Sequence, residues 1–146
     1  MRSRRFVPAL APILMALVVL AALPPALSAF EPIARRGRAE ARIIVDAAAG
    51  PVDVRAAEEL AFFLHIVTGG DFPIARSASV APAGAPRLLV GALAARAADS
   101  AFDGARLAPE EIVVRSVGRD LILAGGGTRG TIYAVYTFLE DVVGCR

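Results

Sequence analysis

The sequence has one cysteine, one histidine and no lysine among its 146 residues, and aromatic side chains make up only 6%. With Cys145 as the sole thiol, no intrachain disulfide can form, and the residue reads as a small apolar side chain. One histidine and one cysteine leave any metal site to carboxylates alone, and no EF-hand-like spacing gathers them. His65 has no neighbouring serine or cysteine and no G-x-S-x-G elbow to serve, so it reads as a helix-surface histidine. Internal repeats are absent too. All 16 basic residues are arginine and 31 residues are alanine, a composition associated with GC-rich bacterial coding.

Residues 1–29 look like a secretory signal peptide. Arg2, Arg4 and Arg5 form the positive start, Phe6 to Leu23 the apolar run, and Pro24-Pro25 ends any helix. Ala26-Leu27-Ser28-Ala29 offers small residues for cleavage after Ala29, with Ser28 as the alternative. An uncleaved anchor is the competing reading, because the apolar run is just long enough to span a bilayer; the membrane would then be met only through this segment. Cleavage leaves 117 residues, enough for one domain with its own core. It also leaves 13 arginines against 14 acids, a net charge of −1. The basic character belongs mainly to the leader, and no basic stripe with interleaved aromatics remains to bind nucleic acid. The expected location is periplasmic or extracellular.

Along residues 30–146 the order is strand, helix, strand, hairpin, helix, after a charged and irregular lead-in from Phe30 to Ala41. Arg42 to Val45 is a β-branched run, and Arg87 to Gly91 a second buried strand. Between them Pro51 suits a first helical position and Asp53 the positive end of the helix dipole. Ala56, Leu60, Phe63 and Val67 then recur at helical spacing as far as Thr68, and Gly69-Gly70 stops the helix. A brief extended piece follows at Asp71 to Ile74, then a proline-punctuated loop. A short helix fits around Ala92–Ala98. Glu111 to Val117 and Asp120 to Ala124 flank Gly118-Arg119, a two-residue loop of the type II′ hairpin kind. The last helix, with Thr128 as its cap, carries Ile132, Val135, Tyr136, Leu139 and Val142 and ends at Gly144. These elements predict an α/β two-layer sandwich, a mixed sheet of about four or five strands with two main helices on one face.

Gly125-Gly126-Gly127-Thr128-Arg129-Gly130 fits G-x-G-x-x-G between a strand and a helix, the pattern of a dinucleotide site. Its position argues otherwise. The fingerprint normally opens the first strand–helix–strand unit, whereas no strand follows this helix, and Arg146 stands near where a ribose-binding acid belongs. Gly125, Gly127, Thr128 and Gly130 therefore read as a structural turn and helix start, and no cofactor is expected. The adjacent acids Glu58-Glu59, Glu110-Glu111 and Glu140-Asp141 do not make a glycosidase pair. Such a pair faces across a cleft at roughly 5 to 9.5 Å, while helix neighbours diverge by about 100°. Tyr133, Tyr136 and Phe138 could form a sugar-stacking platform, but their helical spacing favours packing on the sheet.

Three segments, Arg42–Ile74, Arg87–Leu93 and Asp120–Arg146, together resemble the non-catalytic N-terminal domain of bacterial α-glucuronidases, within the β-hexosaminidase-like domain 2 group. The most specific part runs from Thr128-Arg129-Gly130-Thr131 through Tyr133, Tyr136 and Phe138-Leu139-Glu140 to Gly144-Cys145-Arg146. The resemblance implies a sheet with two helices that supports a catalytic (β/α)8 barrel, expected C-terminal to Arg146 or in trans. It carries over no catalytic residue, because the acid and base belong to the barrel. The expected function is that of an exported accessory domain of a glycoside hydrolase in polysaccharide catabolism. Two alternatives stand beside it: a free-standing extracytoplasmic carbohydrate-binding module with a glycan as partner, and a nucleotide-binding protein using Gly125–Gly130.

Overall fold

The computed structural model describes residues 32–145; the expected signal segment, its cleavage point at Ala29, and Arg146 lie outside the described residues. The chain enters through a small antiparallel hairpin, β1 (Ala34–Arg35) and β2 (Arg38–Ala39). Arg36 and Gly37 turn it, both at positive φ, the pattern of a type I′ turn. The sequence reading leaves this stretch irregular, since an arginine seldom takes a left-handed conformation and so masks the hairpin signal.

Five strands form the main sheet. They are β3 (Arg42–Val45), β4 (Ile74–Ala75), β5 (Arg87–Val90), β6 (Ile112–Val117) and β7 (Asp120–Gly125), in the spatial order β4-β3-β5-β7-β6. The first four in that order run parallel, and β6 returns antiparallel to β7. Ile43 to Val45, Leu88 to Val90 and Leu121 to Ala124 are all buried. Side chains alternate between the two faces of a strand, so an unbroken apolar run marks a strand covered on both sides.

The covers differ. Helix α1 (Pro51–Thr68) and helix α3 (Gly130–Phe138) share one face. There Ala56, Ala57, Leu60 and Leu64 of α1 and Val135, Phe138 and Leu139 pack with Ile43, Val45, Leu88, Val90, Leu121 and Leu123. The one-turn helix α2 (Ala92–Ala95) and Phe102 cover the other face, against Ile44, Leu89, Ile122 and Ala124. The molecule is thus a mixed five-stranded sheet with helices packed against it. Each fully buried Leu, Ile or Phe contributes about 1.5–3 kcal/mol relative to exposure.

Two helix readings need correction. Val67, expected on the buried stripe of α1, is half exposed, as are Phe62 and Ile66. An 18-residue helix is about 27 Å long, whereas a four-residue strand spans about 13 Å; α1 is longer than the strands it covers, and in its last turns Leu64 still packs in the core while Phe62, Ile66 and Val67 face solvent. Nor is Thr128 the cap of α3. That helix starts at Gly130 after Arg129, which makes no side-chain cap, and Thr128 lies within the preceding turn. Beyond Phe138 the helix widens into a π turn (Leu139–Val143) and stops at Gly144 in a left-handed conformation.

Candidate functional site

The crossovers leaving β3 and β5 run to opposite faces, through α1 and α2 respectively. In open α/β sheets the crevice between two such neighbours, at their carboxyl ends, is where ligands bind. Here a side chain of the protein occupies it. Asp53, in the first turn of α1, lies against Gly91 immediately after β5, so closely that a β-carbon on Gly91 would sit 2.5 Å from Oδ2. Gly91 is itself at φ +89. Thr131, buried in the first turn of α3, supplies a hydroxyl that favours the ionised Asp53 carboxylate. Burial pushes the Asp53 carboxyl above the ordinary 3.8, and the Thr131 hydrogen bond offsets part of the rise. The sequence reading places Asp53 at a helix dipole but gives no signal of Gly91 or Thr131, which lie far away along the chain.

The glycine-rich turn borders the same end of the sheet. A β-carbon on Gly125 would lie 2.1 Å from the Gly130 carbonyl carbon, and one on Gly130 would lie 2.6 Å from that of Gly125. The end of β7 and the start of α3 therefore touch backbone to backbone. Gly126 is sealed in turn by the segment before β6, with Ala108 O only 2.0 Å from where its β-carbon would be. Its N–H donates to Glu111 O at 2.8 Å, and Gly130 N–H donates to Gly126 O at 3.1 Å. A phosphate cradle needs such N–H groups turned toward open space. In this turn those two are spent on the chain itself, and protein fills the approach to Gly126.

The acidic pairs are dispersed. Glu58 and Glu59 both face Arg55, Glu58 at 3.7 Å. Glu111 accepts from Ala108 N at 2.8 Å, while Glu140 and Asp141 are exposed on the π turn. His65 faces Asp71 at 3.1 Å on the surface. Among the described residues no group of three or more His, Cys, Asp or Glu could hold a metal ion. At the opposite, amino end of the sheet, Arg87 Nε donates to Asp120 Oδ1 at 2.9 Å and its Nη2 to Oδ2. This bidentate clamp ties the starts of β5 and β7 and raises the Arg87 pKa further, chiefly through the hydrogen bond to Asp120.

The aromatic candidates separate. Phe138 is buried in the core, but Tyr133 and Tyr136 are 37% and 36% exposed, against the expectation that all three pack on the sheet. Tyr136 borders a shallow cavity of about 340 Å³ between α1 and the π turn, with Phe63, Leu139, Glu140 and Cys145. Phe62, Ile66 and Val67 on α1 and Val142 on the π turn extend the exposed apolar surface of the helix layer. Among the described residues no helix is long and apolar enough to cross a membrane. Compared with known proteins, the chain matches no family model and no curated sequence.

Proposed function

We propose that the chain is an exported, non-catalytic accessory domain of a glycoside hydrolase of the α-glucuronidase kind, which supports a (β/α)8 barrel supplied by further sequence or by a second polypeptide. One observation carries the reading. The helix layer presents Phe62, Ile66, Val67, Tyr133, Tyr136 and Val142 to solvent, while the acidic pairs of the domain are spread over separate elements. Apolar surface of that kind is a docking face, and dispersed acids do no glycoside chemistry.

The test is the native state of the protein in the producing cell, followed with antibodies to residues 30–146. The expected species either extends well beyond residue 146 or co-purifies with a glycoside hydrolase barrel, and it lacks the leader. A native species of the 30–146 domain alone, without a barrel partner, overturns the proposal. A second reading, a free-standing glycan-binding module, is favoured by Tyr136 beside Glu140 at the mouth of the cavity. It requires saturable polysaccharide binding that Tyr136→Ala abolishes.

A further inference from the structure

The two edges of the main sheet are treated differently by the sequence. Edge strand β4 is two residues long and lies between Pro73 and Arg76; short length, proline and charge are the usual devices against unwanted pairing. Edge strand β6, Ile112-Val113-Val114-Arg115-Ser116-Val117, has six residues, no proline, and four β-branched apolar side chains. Its register is unbroken against β7 from Val117↔Asp120 to Ile112↔Gly125. Its single charge is already neutralised, since Arg115 Nη2 lies 2.6 Å from Asp99 Oδ2.

The two-residue turn fixes which backbone groups are free. Val117 and Asp120 close the hairpin as a hydrogen-bonded pair, and pairs alternate from there. Val117, Arg115 and Val113 therefore direct their N–H and C=O groups to β7. The bond from Gly126 N to Glu111 O at 2.8 Å continues the same parity. Ile112, Val114 and Ser116 turn theirs outward, and among the described residues no backbone or side-chain group of another element bonds to them.

The geometry points to this edge as an interface between two copies of the chain, joined by antiparallel β6–β6 pairing about a two-fold axis through Val114. That register sets Ile112 opposite Ser116 of the second copy, Val114 opposite Val114, and Ser116 opposite Ile112. It satisfies every outward N–H and C=O of the three residues on both copies. Each Arg115 falls opposite Val113, so no like charges are opposed directly. A contact in which each residue meets its own counterpart is the self-complementary interface of a closed dimer. The result is one continuous ten-stranded sheet, with both sets of long helices on the same side. The inference does not depend on the accessory role proposed above, whose docking face is the helix layer.

Sedimentation equilibrium on the full chain tests it with two double variants at exposed positions. Ile112→Glu with Ser116→Glu opposes two pairs of like charges across the seam, and Ile112→Glu with Ser116→Lys opposes unlike ones. The wild type and the Glu/Lys variant are expected at twice the monomer mass, and the Glu/Glu variant at the monomer mass. Val114→Pro removes the outward N–H at the axis without taking a bond from the β6–β7 ladder, and it is expected to halve the mass as well. A wild type that stays monomeric at its highest soluble concentration overturns the proposal. So does a dimer that persists equally in all variants, because another face would then hold it.

Discussion

Asp53 is a charge held where the fold would be better served by a neutral group. Its folded carboxyl gives up the proton at a higher pH than the unfolded one, because burial disfavours the anion. Between those two pKa values the native state binds more protons, so stability falls as pH rises through the interval. The ionised form therefore subtracts from stability at neutral pH, and the deficit vanishes in acid below the unfolded value near 3.8. Asp53→Asn retains an oxygen for the Thr131 hydroxyl and removes the charge. The variant is expected to melt above the wild type at neutral pH and together with it in acid. Thermal unfolding followed by circular dichroism across pH checks this, and equal pH slopes for the two proteins would contradict it. Nothing in the sequence announces this site. The acid in a first helical turn is legible, but its burial against Gly91 exists only after the sheet is assembled.

At the level of elements, the contact between Gly125 and Gly130 fixes the angle at which α3 leaves β7. Alanine normally stabilises a helical position relative to glycine. Gly130→Ala is expected to do the reverse, since its β-carbon would meet Gly125 backbone at 2.6 and 2.8 Å and Glu111 O at 3.0 Å. Backbone on two sides cannot yield cheaply, and a loss of about 1–3 kcal/mol is expected from overpacking, measured by urea denaturation. A neutral or stabilising result would mean that β7 and α3 can separate. Elements specified by local rules were legible in the sequence. Pro51 and Gly69 bracket α1, and Gly118 at φ +58 turns the hairpin. Elements specified by distant partners were not: the exposure of Tyr133 and Tyr136 depends on how far α3 stands from α1, and the buried stripe of α1 depends on how the sheet lies beneath it.

Over residues 30–146 charge is close to balanced, 13 arginines against 14 acids, so apolar surface rather than net charge governs how the domain associates. Phe62 and Ile66 are 59% and 61% exposed. Replacing both with serine is expected to change folding stability by no more than about 0.5 kcal/mol per site and to raise the concentration at which light scattering sets in. A large fall in melting temperature would mean that these side chains are packed within the domain. The strand order carries a separate consequence for synthesis. β7 is an interior strand, bonded to β5 on one side and β6 on the other, yet it is the last of the five strands to be made. Until Gly125 has left the ribosome, β5 has no neighbour on that side and Leu121 to Ala124 cannot fill the middle of the core. The sheet is closed from within by the last of its own strands, so this domain stays open until that strand is made, and its apolar interior is accessible to chaperones for that interval.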